Sequence, residues 1–188
     1  MKKNDPVTIS HITKDFGKIK IAISGKSGCG NTTVSRLLAE KLGLRFINFT
    51  FRNLAAERNI KLEEILEKAK TDDSWDKEVD KRQVAIANED VNCGCVLGSR
   101  LAIWMLKNAD LKIYLEAKPS VRVKRILARE GGTLEDVTAF TAERDRQDSD
   151  RYMHLYNIDN NDYSFADMII DAETNTPSEI TDIILERL

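Results

Sequence analysis

The chain is poor in several things at once. It has three cysteines, Cys29, Cys93 and Cys95, three prolines and an aromatic share of 6%. An odd cysteine count reads as reduced thiols rather than a disulfide framework. A structural zinc site needs four well-placed ligands, and the two histidines, His11 and His154, lie far in sequence from the Cys93/Cys95 pair. Those two cysteines are expected to alternate along a buried strand as small apolar residues. No apolar run approaches the roughly 20 residues of a membrane span, and the polar first 18 residues carry no signal-peptide core. The expected location is therefore cytoplasmic, with no membrane partner. Neither charge sign dominates: 29 Lys and Arg stand against 31 Asp and Glu, for a net charge of −2. A dedicated nucleic-acid binder would show a basic excess.

What is present suits a packed domain. Hydrophobic residues make up 41% of the 188-residue chain, enough for one α/β core. Residues 1–18 read as an extension before a domain over 19–188. Apolar patterning predicts strands at 19–24, 45–49, 93–97, 111–116 and 167–171. Helices are predicted at 33–42, 51–58, 61–70, 74–89, 101–106, from Pro119 to about 130, from 135 to about 156, and from Pro177 onward. This alternation implies a parallel sheet of about five strands with helices on both faces. Ligands of such sheets lie beyond the carboxyl ends of the strands.

The turn after the first strand reads Gly25-Lys26-Ser27-Gly28-Cys29-Gly30-Asn31-Thr32-Thr33. It follows the P-loop pattern G-x-x-x-x-G-K-[ST] at Gly25, Gly30 and Thr32. A P-loop binds phosphate through main-chain N–H groups and the positive end of the helix dipole, and Thr32 would offer a hydroxyl to Mg²⁺. Asn31 stands where the pattern has lysine. It can donate a hydrogen bond but carries no charge. Lys26, at the loop's edge, is the candidate replacement, from the same chain or a neighbour; a solvated lysine is the plain alternative.

Arginines supply a second anion site. Arg52 follows the second predicted strand and Arg100 the third. Arginine's planar fork suits phosphate oxygens. Arg122, Arg125 and Arg129 share one helical face, and so do Arg144, Asp148 and Arg151 on the next helix. The intervening Gly131-Gly132 suggests a helical lid over about 122–151. From Lys118 to Arg151 there are eight basic and seven acidic residues, so much of that charge must be paired.

These features together resemble the cytidylate kinases, most closely the short archaeal-type form, over about residues 19–188. The resemblance rests on Gly25–Thr33, Phe51-Arg52 with Leu54-Ala55, Asp76-x-x-x-Asp80-x-Arg82-Gln83 and Arg100-Leu101-Ala102-x-Trp104. It continues through Ala109–Ile113, Val121-Arg122 to Gly131, Glu143-Arg144-Asp145-x-x-Asp148-x-x-Arg151-Tyr152 and Tyr156-x-Ile158-Asp159. It implies a P-loop NTPase fold and transfer of the ATP γ-phosphoryl to CMP or dCMP with Mg²⁺, by a monomer or homodimer. Residues 25–33 would hold ATP. Lys26, Asn31, Arg125 and Arg129 would serve catalysis, the last two as lid arginines facing ATP. Arg52, Arg100, Arg144 and Arg151 would grip the acceptor phosphate or the transferring group, Asp148 would contact the acceptor's sugar, and the Asp76–Gln83 stretch would lie near its base, with Asp80 and Arg82 as the readers of cytosine's edge. The chain departs from the family at Asn31, at Gly98, where relatives usually carry Asp or Glu, and in a short turn between Ile47 and Arg52. Two alternatives stay open: a nucleotide-binding protein without transferase activity, and a P-loop kinase for another small acceptor.

Overall fold

The computed structural model describes residues 16–90 and 92–188. The expected extension therefore lies outside the described residues except for 16–18. Five parallel strands form one sheet: β1 (Lys20–Ser24), β2 (Arg45–Ile47), β3 (Cys95–Gly98), β4 (Leu111–Glu116) and β5 (Met168–Asp171). Their order is β2-β3-β1-β4-β5. The helices are α1 (Asn31–Leu42), α2 (Phe51–Arg58), α3 (Leu62–Lys68), α4 (Ser74–Asn88), α5 (Ala102–Met105), α6 (Pro119–Glu130), α7 (Leu134–Tyr156) and α8 (Pro177–Arg187).

β1 occupies the centre and is buried along its whole length. That burial explains its near-continuous apolar reading. Successive side chains point to opposite faces. Ile21 and Ile23 pack with Val34 and Leu38 of α1 and with Ile180 and Ile184 of α8. Ala22, between them, joins Leu97, Ile103, Trp104, Tyr114 and Tyr152 on the other face. Trp104 is buried, with its ring edge-on to Tyr114 at 6.1 Å between centroids.

Local chemistry sets the element ends. Gly43 closes α1 in the left-handed conformation, with φ 65°. Thr176 and Glu179 form a capping box on α8, and Pro177 sits in its first turn. Gly131 and Gly132, at φ 78° and 99°, make the turn between α6 and α7.

One expectation fails here. β3 begins at Cys95, and Cys93 lies in the preceding turn, exposed, while Cys95 is buried. The Gly94 amide donates to the Gly17 carbonyl at 2.6 Å. A Cβ at Gly94 would lie 2.5 Å from the Ile19 carbonyl oxygen, so the close approach ends the alternation that placed Cys93 inside.

Candidate active site

The connections leaving β1 and β3 run to opposite sides of the sheet, and the crevice at such a divergence is where α/β sheets bind ligands. A cavity of about 620 Å³ opens there. Its walls come from the turn at 26–34, the 48–51 segment, α4, the 98–101 turn, α6 and α7.

The Gly-rich turn has the conformation that anion binding requires. Gly28 and Gly30 hold φ of 89° and 100°. A Cβ at Gly28 would press on Arg122 at 3.0 Å. α1 starts with no side-chain cap and no acidic residue in its first turn. Its first hydrogen bond runs from the Val34 amide to the Gly30 carbonyl. The amides of Asn31, Thr32 and Thr33 precede it and have no partner within the helix. All three residues line the cavity, so an uncompensated positive helix end faces it.

Two arginines of α6 hold the outer side of this turn. Arg122 Nη1 donates to the Ser27 carbonyl at 3.1 Å, and Arg125 Nη1 to that of Gly28 at 3.5 Å. Arg125 also donates to the Ala172 carbonyl at 2.5 Å. Carbonyls held outward leave the opposite side of the loop to amides. Arg122 is only 2% exposed and forks onto both oxygens of Asp145. It is thus a strut between α6, α7 and the loop, where the sequence had grouped it with the lid arginines. Desolvation pushes the Cys29 thiol within the loop up to about 11, so it stays an uncharged packing group.

Asn31 turns inward. Its Nδ2 donates to the Gly25 carbonyl at 2.5 Å, and its Oδ1 is buried without a partner among the described residues. A Cβ on Gly25 would lie 2.6 Å from that oxygen, which accounts for glycine there. The amide thus ties the two ends of the loop together. Lys26 lines the cavity and donates from Nζ to Asn161 Oδ1 at 2.8 Å. Thr32 is exposed, and its hydroxyl accepts from Asn48 Nδ2 at 3.2 Å.

Across the cavity stand Arg100, Arg144 and Arg151. Arg100 is bonded to Asp148, and Arg151 pairs with Asp76 at 2.7 Å. Among the described residues Arg144 has no carboxylate partner; it lies over the Phe140 ring at 6.0 Å. Burial and the neighbouring Arg100 charge depress its pKa. A cation in that setting is a ready anion receptor. On α4, Asp76 and Asp80 are both raised by burial, against the pull of Arg151 on the first and of the Tyr156 hydroxyl on the second.

The expected residues therefore divide. The 26–33 turn, Asp80, Arg100, Arg125, Arg129, Arg144 and Arg151 all line one cavity. Gly25 and Asp148 instead border a small adjoining cleft. Arg52 and Arg82 are exposed and stand outside the lining of this cavity, with Arg82 lying toward Glu57 at 3.5 Å. Arg52 lies in the first turn of α2, where the buried positions are Leu54 and Ala55. Gln83, at 5% exposure on the cavity wall, ends the 76–83 stretch expected near the acceptor base but had no role of its own; its i+3 spacing from Asp80 puts the two on one helical face.

Gly98 has a steric cause. A Cβ there would lie 2.6 Å from Ser35 Cβ and collide with Ser35 Oγ. No carboxylate fits while Ser35 occupies that space. Gly98→Asp is expected to lower stability by about 1–3 kcal/mol. Adding Ser35→Gly should recover most of the loss in urea unfolding. A single variant as stable as the natural chain would refute this packing account.

A central strand feeding a glycine-rich turn and bare helix end, opposed by arginines across one cavity, defines a P-loop kinase of small acceptors. Residues 20–174 match the model of the cytidylate kinase-like family. The chain is 48% identical over 174 residues to cytidylate kinase 2 of Borreliella afzelii, covering 90% of this chain and 96% of that one. It is 43% identical to the cytidylate kinase of Pyrococcus furiosus, covering 89% and 87% of the two chains. Among solved structures, a shikimate kinase from Bacteroides thetaiotaomicron (TM-score 0.60, 16% identity, 90% and 96% covered) shares the fold. So does a deoxyadenosine kinase from M. mycoides (TM-score 0.56, 19% identity, 90% and 98% covered). The chain belongs to the cytidylate kinase-like family. It is an ATP-dependent phosphotransferase of the nucleoside monophosphate kinase kind. Among the described residues no helix is long and apolar enough to cross a membrane.

Proposed function

We propose that the protein transfers the γ-phosphoryl group of ATP to CMP or dCMP, forming ADP and CDP or dCDP. One observation carries this reading: the bare amide end of α1 and the Arg100/Arg144/Arg151 group face a single cavity. Two anionic substrates can thus be held with their phosphates toward each other. Both cytidylate kinase relatives support the pyrimidine acceptor by name.

An oxygen of the acceptor phosphate attacks the γ-phosphorus, and the bond from that phosphorus to the β–γ bridging oxygen breaks. The departing ADP keeps the bond's electron pair. Such a transfer needs positioning and charge stabilisation more than covalent help. The amides at 31–33 and the half-buried Lys26 face the ATP phosphates, and Arg129 adds charge from α6. Arg144 is free to serve the transferring group, while Arg100 and Arg151, each held by a carboxylate, orient the acceptor phosphate. Mg²⁺ would arrive with ATP and neutralise charge between the β- and γ-phosphates. The exposed Thr32 hydroxyl, with Asn48 Nδ2 donating to it at 3.2 Å, is the group of the loop that would meet such an ion, which keeps most of its water.

The test is ADP formation from ATP and Mg²⁺ with CMP, dCMP, UMP and AMP in turn. CMP and dCMP should give the highest kcat/KM. Turnover with none of the four, at high enzyme concentration, rejects the reading. A second reading, nucleotide binding without transfer, draws on the inward turn of Asn31. It predicts that ATP or CMP raises the melting temperature while no ADP forms.

A further inference from the structure

Gln83 is an unusual residue for a cavity wall. It is nearly buried, yet its Oε1 has no hydrogen-bond partner among the described residues. A buried acceptor left unpaired is costly, so native structures satisfy such groups or reserve them for a ligand. On the same face of α4, Gln83 Nε2 points to Asp80 Oδ1 at 3.4 Å, and the other Asp80 oxygen accepts from the Tyr156 hydroxyl at 2.8 Å. A carboxylate only accepts. Turning the Gln83 amide over would set two oxygens against each other. Asp80 therefore holds Nε2 toward itself and leaves Oε1 as the group a ligand meets. Val79, Leu101 and Tyr152 supply apolar walls to the same cavity.

We propose that Gln83 reads the exocyclic amino group of the acceptor base and that Asp80 is the positioning residue making that reading selective. This rests on the nucleoside monophosphate kinase reading above. Cytosine presents an N4 amino donor where uracil presents an O4 acceptor. Oε1 accepts from the first and repels the second. The pair sorts amino from oxo bases; it does not sort purines from pyrimidines. It replaces Arg82, which lies outside the cavity, as the partner of Asp80 in base recognition.

The experiment measures CMP and UMP affinity by calorimetry, and kcat/KM for both, in the natural chain, Gln83→Met and Asp80→Asn, with melting temperatures alongside. The natural chain should prefer CMP. Gln83→Met should lower CMP affinity and kcat/KM by about 10- to 100-fold and change UMP little. Asp80→Asn, which frees the amide to turn over, should raise UMP relative to CMP. The KM for ATP should not move in either variant, which separates base reading from general damage. A CMP-to-UMP ratio unchanged in either folded variant, or a natural chain that binds both alike, overturns the inference. CMP preference in binding without CDP formation would sink the transferase reading and leave this one standing.

Discussion

Arg122→Met should cost about 3–5 kcal/mol of folding stability, the range for removing one partner of a buried ion pair. The guanidinium is 2% exposed and donates to Asp145 Oδ1 and Oδ2 at 3.1 and 2.5 Å. It also donates to the carbonyls of Ala117 and Ser27 at 3.2 and 3.1 Å. The variant leaves the Asp145 side chain, 19% exposed, without its counter-charge. Two carbonyls lose donors as well. Lysine cannot replace the fork, because one ammonium does not match a carboxylate and two separated carbonyls at once. The double variant Arg122→Met/Asp145→Leu should regain a large part of the loss, since it removes the stranded charge. Urea unfolding of the three proteins checks this. A single variant within 1 kcal/mol of the natural chain would show that the strut carries no weight.

Arg144→Ala should lower kcat by about 1,000-fold, the lower bound for arginines that stabilise phosphoryl-transfer charge. Folding stability should hardly change. Arg144 has no carboxylate partner among the described residues and stands beside Arg100. Burial and the neighbouring Arg100 disfavour its charge in the free protein, so an anion in the cavity gains from it. Arg144→Lys keeps the charge without the fork and should recover a minor part of the rate. Arg146, two residues on, is exposed and paired with both Glu143 and Asp150. Arg146→Ala should leave kcat unchanged. Steady-state rates with saturating CMP distinguish the two positions; less than a tenfold loss for Arg144→Ala removes its proposed role.

Both predictions concern arginines on helices whose bounds were legible from the sequence. α2 appears at Phe51–Arg58 and β4 at Leu111–Glu116, the ranges their patterning suggests. Pro119 opens α6 and the Gly131-Gly132 pair closes it. The spacing of Arg144, Asp148 and Arg151 put all three on one face of α7. Two of them reach the cavity, while Asp148 reaches it only through Arg100. Spacing could not tell Arg122 from Arg125 and Arg129, because all three share a stripe on α6. The difference depends on Asp145 of α7 and the Ser27 carbonyl arriving around one of them. Arg52 illustrates the same limit. Its place after β2 is a sequence property, whereas its exposure depends on how α2 packs Leu54 and Ala55 into the cluster with Phe49 and Ile65.

By itself the sequence determined the strand and helix alternation, the parallel sheet and the phosphate-binding turn. Each depends on near neighbours in the chain: apolar period, glycine at left-handed positions, caps at helix ends. Tertiary structure alone decided which charges are spent on one another and which remain for substrate. It turned the Asn31 amide onto the Gly25 carbonyl, closed the space beside Gly98 with Ser35, and left Gln83 Oε1 in the cavity wall without a partner among the described residues. The physical reason is that a side chain's partners are set by distance in space. In a sheet ordered β2-β3-β1-β4-β5, those partners come from segments tens of residues apart.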